Sequence, residues 1–324
     1  MTAPRVAILG MGKMGAAMAC RLASLGHSIV VWNRSPAAPL QVVQDAAGMN
    51  GKIVVAQTPH DALQLAGREA LALFILSDTA AVEGVLRCED GAGTFAALAK
   101  SRGVTVCNIT SGSPDEGRAV AAVVRCETYV DGSYCGPPAR ARNGTGQLFL
   151  SSAAGPAKVE AFRDVFDALG EATFCGDSVG AARALDYAVV DLAFVSYLSY
   201  CANAAMLDRE GVPAALVAKS AARRLAYVPA ALELAAQRME TRDSYHTAPT
   251  ATLSTWRNFW DSRRAYFVRC GMPSQLLDFA VGLLDQAGAS DPNLGSADVT
   301  RLQEIVRYGA PPAAAPPAPA APAS

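Results

Sequence analysis

The first half of the chain alternates short apolar runs with segments of helical periodicity. The apolar runs occupy residues 5–9, 28–32, 52–56, 70–76 and 104–109, and two more follow at 129–131 and 147–151. Buried strands separated by helices of this length are typical of crossover units, which build parallel sheets. The pattern therefore predicts an α/β domain over residues 1–180, with a mostly parallel, doubly wound sheet and the last two runs near its far edge.

The pattern changes after Gly180. Residues 181–309 show helical periodicity, and the stretch 181–209 contains no Pro or Gly. A helix of that length would be over ~40 Å long, which is more than a small domain needs. We therefore expect an all-α C-terminal domain over residues 181–309, joined to the first domain by a long helix that also suits a subunit interface. Residues 310–324 contain only Ala, Pro and Ser, which predicts a disordered tail.

Charge and cysteine usage narrow the class of protein. The 28 basic and 29 acidic side chains leave a net charge of −1. This balance lacks the excess of positive charge that is typical of proteins that bind nucleic acid or an anionic membrane surface. No uninterrupted apolar run reaches the roughly 18 residues of a membrane span, and the N-terminus lacks the layout of a secretion signal. The eight cysteines form no C-x-x-C pair and do not cluster with the histidines. We expect a cytoplasmic protein that binds neither nucleic acid nor membrane and that holds no metal.

A glycine loop lies between the first predicted strand and the first predicted helix. Its six residues are Gly10, Met11, Gly12, Lys13, Met14 and Gly15, in the pattern G-x-G-x-x-G. In this context the first glycine allows a tight turn, the second lets a pyrophosphate approach the backbone, and the third lets helix and strand pack closely. The N–H groups at the helix N-terminus favour a phosphate. The loop therefore predicts a Rossmann domain that binds a dinucleotide through these six residues.

The end of the second predicted strand indicates which dinucleotide. Units that bind NAD usually carry an acidic residue there, about 20 residues after the loop, which bonds the ribose 2′-hydroxyl. This chain has Asn33, Arg34 and Ser35, which begin 18 residues after Gly15. A guanidinium suits a 2′-phosphate, and the two neutral side chains add hydrogen bonds. The sequence therefore favours NADP(H), although Arg34 could also be an ordinary solvated loop cation.

These features resemble the β-hydroxyacid dehydrogenase superfamily, which includes 3-hydroxyisobutyrate dehydrogenases, 6-phosphogluconate dehydrogenases, imine reductases and reductive aminases. The resemblance covers about residues 4–308, and the segment Val-Trp-Asn-Arg-Ser at 31–35 is particularly similar to imine reductases. Residues 108–114 resemble the imine reductase segment N-x-T-x-G-T-P, which lies near the nicotinamide. The resemblance implies further cofactor contacts at Leu76, Ser77, Thr110 and Ser111.

The start of the long helix favours the imine reductase branch. In the hydroxyacid dehydrogenases a G-x-G-x-x-x-K stretch opens this helix, and its lysine is the catalytic acid/base. The matching residues 180–186 place Asp186 at that position. A protonated imine is cationic, and a carboxylate at ~4 Å attracts it by about 4 kcal/mol at an effective dielectric of 20. The resemblance implies that Asp186 is catalytic, with Tyr187 as an alternative proton donor; the simpler alternative is that Asp186 pairs with Arg183 on an exposed helix face.

The expected substrate residues come from two regions. The superfamily loop D-x-P-x-S-G-G is altered here at Cys135 and Pro137, and Ser111 stands where many imine reductases have Asn. Downstream, Tyr245 and Trp256 belong to an aromatic-rich segment that either lines a substrate pocket or packs between helices. In imine reductases the matching helices come from the partner subunit of an interlocked dimer, so the resemblance implies a homodimer.

The sequence thus predicts an NADPH-dependent imine reductase, or a reductive aminase, acting on an imine or on a carbonyl compound plus an amine. Two alternatives stay open. One is an NADP-dependent 3-hydroxyacid dehydrogenase with an unusual acid/base residue. The other is an NADPH-binding protein without turnover.

Overall fold

The computed structural model describes residues 5–91, 93–125, 127–241, 251–290, 295–302 and 306. The chain divides into two compact units, Met1–Ala193 and Phe194–Ser324. Within the described residues the first unit is an α/β unit and the second is helical. The predicted tail at residues 310–324 lies outside the described residues.

Eight strands of the described residues form one sheet in the order β10-β9-β8-β7-β4-β1-β2-β3. Neighbours are parallel except for β8 and β9, which pair antiparallel. The prediction of a mostly parallel Rossmann-type sheet is confirmed. The strands are β1 Val6–Leu9, β2 Ile29–Trp32, β3 Ile53–Val55, β4 Leu71–Phe74, β7 Thr105–Asn108, β8 Tyr129–Cys135, β9 Gly146–Ser151 and β10 Gly170–Phe174, while β5 Glu89–Asp90 and β6 Gly93–Thr94 form a separate hairpin.

The central strands are apolar throughout because both faces of the sheet are covered. In β1, Val6 and Ile8 join one buried cluster, whereas Ala7 and Leu9 join the other on the opposite face. Successive side chains of a strand point to opposite faces, so a strand buried on both sides needs an unbroken apolar run. The helices of this unit are α1 Lys13–Ser24, α2 Ala37–Asp45, α3 Pro59–Ala66, α4 Thr79–Arg87, α5 Phe95–Ser101, α6 Pro114–Val124, α7 Pro138–Asn143, α8 Ala157–Glu160 and α9 Arg163–Leu169.

The sheet has an outermost strand that the sequence analysis did not predict, while β8 and β9 lie near the edge as expected. The run at 147–151 is strand β9, but β10 lies outside it and forms the edge. Its sequence, Gly-Glu-Ala-Thr-Phe, has exposed positions at Glu171 and Thr173. An edge strand with alternating polar residues carries little apolar signal, so the sequence analysis did not detect it.

The helical unit contains α11 Ala214–Leu225, α12 Val228–Thr241, α13 Leu253–Arg269, α14 Gln275–Ser290 and a short 3-10 helix, Val299–Arg301. A small core at Leu253, Leu284, Ala287 and Ala297 joins α13 and α14. Arg238 of α12 forms a buried ion pair with Asp298, which precedes the 3-10 helix. This pair fixes the residues around the 3-10 helix against α12.

The predicted long helix is α10, Ala181–Arg209, and it runs from the first unit into the second. Only Ala182 and Arg183 are buried, and large apolar side chains are exposed along the rest. By length and composition it is the one helix of the described residues that could span a membrane, with a mean hydropathy of 1.3 over its most apolar window. An exposed apolar helix of this kind is equally expected where a second protein chain covers it.

Candidate functional site

The glycine loop has the geometry expected of a dinucleotide-binding turn. Gly10 has φ of +112°, and a Cβ there would lie 2.1 Å from the Ile75 carbonyl oxygen. A Cβ on Gly15 would lie 1.9 Å from the carbonyl oxygen of Gly10, so this glycine lets α1 pack against the loop. A Cβ on Gly12 would meet no atom within 4 Å. The backbone at Gly12 is therefore open to a ligand.

Asn33 secures this loop against the end of β2. Its Oδ1 accepts a hydrogen bond from the N–H of Met11 at 3.0 Å, and its Nδ2 donates to the carbonyl oxygen of Ser35 at 3.1 Å. Gly12 caps α1 without a side-chain hydrogen bond, which leaves the first N–H groups of the helix available to an anion. Asn33 thus positions the loop and the turn that follows β2.

A cleft of about 710 Å³ lies against the loop and reaches the ends of β2 and β4. Its volume is in the usual range of small-molecule sites. The cleft includes most of the predicted cofactor residues, namely Gly10, Gly12, Lys13, Met14, Gly15, Asn33, Arg34, Ser35, Leu76 and Ser77. Its lining does not include Met11, whose side chain is buried in the core, or Thr110 and Ser111.

The charge of the cleft suits a phosphorylated ligand. Lys13 and Arg34 are basic, and none of the lining residues is acidic. Asp78 lies close to Arg34 but caps α4, accepting from the N–H of Ala81 at 2.7 Å. That hydrogen bond holds the pKa of Asp78 below its usual range, and the charge of Arg34 contributes to the same shift. The residues present fit NADP(H), because the loop can take the pyrophosphate and Arg34 can reach a 2′-phosphate.

Thr110 joins two loops at the edge of the sheet where β4 and β7 end. Its side chain is buried, and its Oγ1 accepts from the N–H of Leu76 at 3.0 Å. Its own N–H donates to Asn108 Oδ1 at 3.0 Å. Ser111, the next residue, is exposed. Thr110 therefore fixes the loop that carries Ser111 beside the cofactor cleft.

Asp186 lies on the second turn of α10 and accepts a hydrogen bond from Ser133 of β8. The Ser133 Oγ to Asp186 Oδ2 distance is 2.7 Å. Asp131 pairs with Asn108 at the carboxyl end of β7, so Ser133 extends two residues beyond that end. The Ser133–Asp186 pair therefore lies past the carboxyl edge of the parallel strands, which is also the edge that carries the glycine loop. In doubly wound sheets, ligands bind at this edge.

Ser133 was not among the residues singled out from the sequence. The signal that could have found it is the alternation of β8, which places Asp131, Ser133 and Cys135 on one face of the strand. Cys135 is close to Asp186 as well. Burial raises the pKa of the Cys135 thiol, and the Asp186 carboxylate raises it further. Two side chains of β8, Ser133 and Cys135, can therefore donate a hydrogen bond to the Asp186 carboxylate.

Arg183 does not pair with Asp186. It is 1% exposed, and its Nε donates to Asp131 Oδ1 at 2.8 Å. The Tyr129 hydroxyl donates to the same oxygen at 2.8 Å. Burial raises the pKa of the Asp131 carboxyl, and the guanidinium of Arg183 opposes that shift. The alternative prediction, in which Asp186 pairs with Arg183 on an exposed helix face, is therefore wrong. Arg183 forms a buried ion pair with Asp131 instead.

The remaining predicted residues are distributed over both units. Tyr187 is 47% exposed, and Pro137 caps α7. Trp256 belongs to the helical unit and stacks on Trp260 with ring centroids 6.5 Å apart. Tyr245 lies outside the described residues. In the part of the chain that the structure describes, no group of three or more His, Cys, Asp or Glu side chains is placed to hold a metal.

Trp256 also lines a largely apolar groove of about 810 Å³ in the helical unit. Among the other lining residues are Tyr200, Asn203, Trp260, Arg263 and Phe279. Arg263 donates to Asn203 Oδ1 at 3.0 Å and lies over the Trp260 ring, 4.8 Å from its centroid. The groove wall is therefore mostly apolar, with four aromatic side chains and two arginines, of which Arg263 is held by Asn203.

A parallel sheet, a glycine loop at its carboxyl edge and a basic cleft beside that loop define a dinucleotide-binding protein of the Rossmann type. The chain belongs to the family described as the NAD binding domain of 6-phosphogluconate dehydrogenase, whose model matches residues 5–177. The predicted membership of this superfamily is confirmed.

Three similar proteins extend this comparison. The chain is 25% identical over 190 residues to the NADPH-dependent reductive aminase of Aspergillus oryzae, a match that covers 57% of each protein. It is 26% identical to a reductive aminase from Aspergillus terreus in complex with NADPH4, cyclohexanone and allyl amine, with a TM-score of 0.74, covering 94% of this chain and 100% of the other. An imine reductase variant from Myxococcus stipitatus, 20% identical and bound to NAD+, has the same fold, with a TM-score of 0.80 over 95% of this chain and 100% of the other.

Proposed function

We propose that the chain is an NADPH-dependent imine reductase, which reduces a C=N bond formed beforehand or from a carbonyl compound and an amine. The observation that carries this proposal is the Asp186 carboxylate, held by Ser133 past the same sheet edge as the glycine loop. The similarity to enzymes named as reductive aminases supports it.

The cofactor would lie along the cleft beside the glycine loop. The N–H groups at the start of α1 would bind the pyrophosphate, and the open backbone at Gly12 would let it approach. Arg34 would bind the 2′-phosphate, and Ser35 would add a neutral hydrogen bond. When bound, NADPH supplies the hydride.

Asp186 would act on the nitrogen of the substrate. Its Oδ2 is held by Ser133, while its Oδ1 is a buried oxygen that accepts no hydrogen bond from the described residues, and the Cys135 thiol is close to the same carboxylate. An iminium N–H would donate to Oδ1, and the negative charge would stabilise the cation that accepts hydride at carbon. Tyr187, an exposed residue next to Asp186, is the second candidate proton donor. Ser111, Cys135 and Pro137 would contact the rest of the substrate.

The active form would be a homodimer. Exposed apolar side chains are concentrated on α10, where Phe194, Val195, Tyr197 and Leu198 are each at least 45% exposed. Monomeric soluble proteins rarely leave such a surface uncovered. The α/β unit would hold the cofactor, and the helical unit would serve dimerisation and substrate binding, with Trp256 and Tyr245 as the predicted substrate contacts of that unit. The interlocking of two helical units and the cytoplasmic location stay predictions.

The experiment that tests this proposal is NADPH oxidation by the purified protein against a matched set of substrates. The set holds a cyclic imine, a ketone with an added amine, the ketone alone, and 3-hydroxy acids with NADP+ in the reverse direction. We expect turnover only where a C=N bond is present or can form. We also expect Asp186→Asn to lower kcat about 100-fold or more while NADPH affinity is kept, because the variant retains the cleft but loses the charge.

Other outcomes would contradict the proposal. Oxidation of 3-hydroxy acids would show a hydroxyacid dehydrogenase. NADPH binding without turnover of any of these compounds would favour a binding protein. Full activity in Asp186→Asn would show that the Asp186 carboxylate takes no part in the reaction.

A further inference from the structure

We infer that Ser133 is a positioning residue, which fixes one oxygen of the Asp186 carboxylate so that the other faces the substrate nitrogen. The inference rests on the proposed function, because it assigns a role in the proposed reaction. Its geometric basis is the 2.7 Å hydrogen bond from Ser133 Oγ to Asp186 Oδ2. Hydrogen bonds from a hydroxyl to a carboxylate are among the stronger ones in proteins.

The backbone of α10 is already held without Ser133. The N–H of Ala182 donates to Ser151 Oγ at 3.3 Å, which ties the first turn to β9. Arg183 adds the buried ion pair with Asp131 of β8. These two contacts fix the first turn of the helix, one turn before Asp186. What they leave free is the rotation of the Asp186 side chain.

Ser133 is well placed to remove that freedom. It lies inside β8, where it pairs with Phe149 of β9, so its own backbone is rigid. It is 7% exposed, and water therefore competes poorly for its hydroxyl. The neighbouring Cys135 thiol is a weak donor and would not replace the hydroxyl. With Oδ2 occupied, Oδ1 is a buried oxygen that accepts no hydrogen bond from the described part of the chain. A buried acceptor without a partner favours a ligand that donates to it.

Ser133 of β8 therefore fixes the orientation of the carboxylate, and Asp186 of α10 supplies its charge. A carboxylate that rotates freely would spend part of its time with neither oxygen directed at the substrate nitrogen. Holding a reacting group in one orientation lowers the activation barrier without altering how tightly the cofactor binds. Ser133 should accordingly affect kcat for imine reduction and leave NADPH binding unchanged.

The test compares three variants of the full-length chain. Ser133→Ala removes the donor, and Ser133→Thr restores a hydroxyl at the same position. Ser151→Ala is the matched control, because it removes a buried hydroxyl that touches the start of α10 but not Asp186. We expect Ser133→Ala to lower kcat about tenfold or more, with KM for the imine changed less and the Kd for NADPH unchanged. Ser133→Thr should recover part of the rate, and Ser151→Ala should retain the rate of the parent.

A second measurement does not depend on turnover. The infrared difference spectrum between the parent and Asp186→Asn isolates the carboxylate stretching bands of Asp186. We expect those bands to shift in Ser133→Ala, because one carboxylate oxygen loses its donor, and to stay in place in Ser151→Ala. This spectrum keeps the hydrogen bond between Ser133 and Asp186 testable even if the imine assay shows no turnover.

The two measurements separate the possible failures. If Ser133→Ala keeps both the rate and the carboxylate bands of the parent, the positioning role is wrong, whatever the substrate. If the bands shift but kcat does not, the hydrogen bond exists and has no role in the reaction, which also overturns the inference. If the bands shift as expected but neither the parent nor any variant reduces imines, the proposed function fails and the positioning role with it, although the contact stands.

Discussion

At the scale of single residues, the glycines of the loop serve two different purposes. Gly15 is required by the fold, because a side chain there would overlap the backbone of Gly10. Gly12 is not required by the fold, since a Cβ at that position meets nothing in the protein within 4 Å. We propose that its reason is the ligand, whose pyrophosphate would approach the backbone at that point. The spacing of the motif predicts both roles, and the structure shows the steric reason for Gly15 and an open backbone at Gly12.

Alanine substitutions at these two glycines should therefore separate stability from binding. We expect Gly15→Ala to lower the free energy of unfolding by about 1–3 kcal/mol, because the added methyl group forces α1 away from the loop. Gly12→Ala should keep the stability of the parent and lose at least about tenfold in NADPH affinity. Urea denaturation and calorimetric titration with NADPH measure the two effects. Equal NADPH affinity in Gly12→Ala would show that the cofactor does not lie against this loop.

The buried ion pair between Arg183 and Asp131 makes a second residue-scale prediction. Both side chains are at most 1% exposed, so removing one charge leaves the other buried without its partner. We expect Arg183→Met to lower the free energy of unfolding by about 3–5 kcal/mol. The double variant Arg183→Met/Asp131→Asn should recover much of that loss, because neither charge then remains. An unfolding curve for Arg183→Met that matches the parent would mean that the pair contributes nothing to stability.

At the scale of elements, the start of α6 illustrates how local sequence sets a boundary. Ser113 and Glu116 form a capping box, in which Ser113 N–H donates to Glu116 Oε2 at 2.7 Å. Pro114 at the first helical position adds a preset backbone angle. The boundary matters for the site, because the loop that ends at this cap carries Thr110 and Ser111.

The capping box predicts a pH dependence of stability. The hydrogen bond from the Ser113 N–H holds the pKa of Glu116 below its usual range. A carboxyl whose pKa is lower in the folded state stabilises the fold above its unfolded pKa, about 4.3, and that stabilisation is lost as the pH falls through the folded pKa. We therefore expect Glu116→Gln to be less stable than the parent at pH 7, with the difference shrinking as the pH falls below about 4.

Urea denaturation of both proteins across this pH range measures the difference. Glu89→Gln is the control, because Glu89 is an exposed glutamate on β5 that caps no helix. A stability difference for Glu116→Gln that is the same at every pH would contradict the assigned role of the carboxylate.

At the scale of the whole molecule, the exposed apolar surface of α10 is the feature that a single chain does not explain. Phe194 and Tyr197 lie near each other on this helix and are 56% and 62% exposed. Stable interfaces between protein chains commonly bury about 1,600 Å² in total, and an apolar helix of 29 residues can supply a large share of that area. The proposed homodimer would cover it.

Sedimentation velocity over a range of concentrations tests this arrangement. We expect the parent to sediment as a dimer at micromolar concentration and Phe194→Glu to shift toward monomer, because the substitution buries a charge in an apolar contact. Leu40→Glu is the matched control, since Leu40 is 57% exposed on α2 of the α/β unit. A parent that sediments as a monomer at all concentrations would overturn the dimer, and dissociation of both variants alike would show a general effect of added charge.

Much of the fold follows from the sequence alone. The central strands, the glycine loop and α10 are recognisable because each depends on residues that are neighbours in the chain. An unbroken apolar run is enough to indicate a strand covered on both faces, and the absence of Pro and Gly from 181–209 is enough to indicate one long helix. The superfamily and the NADP(H) preference follow from short motifs of the same local kind.

The tertiary structure alone decided how the site is assembled. Ser133 and Asp186 are 53 residues apart in the chain, and Arg183 and Asp131 are 52 apart. Their partners are set by how the first two turns of α10 meet β8, which no local pattern specifies. The same holds for the antiparallel pairing of β8 with β9 and for the weakly apolar edge strand β10. The sequence by itself thus determined the fold class and predicted most of the residues proposed to carry the chemistry, whereas only the packing of helix on sheet brought Ser133 to Asp186 and Arg183 to Asp131.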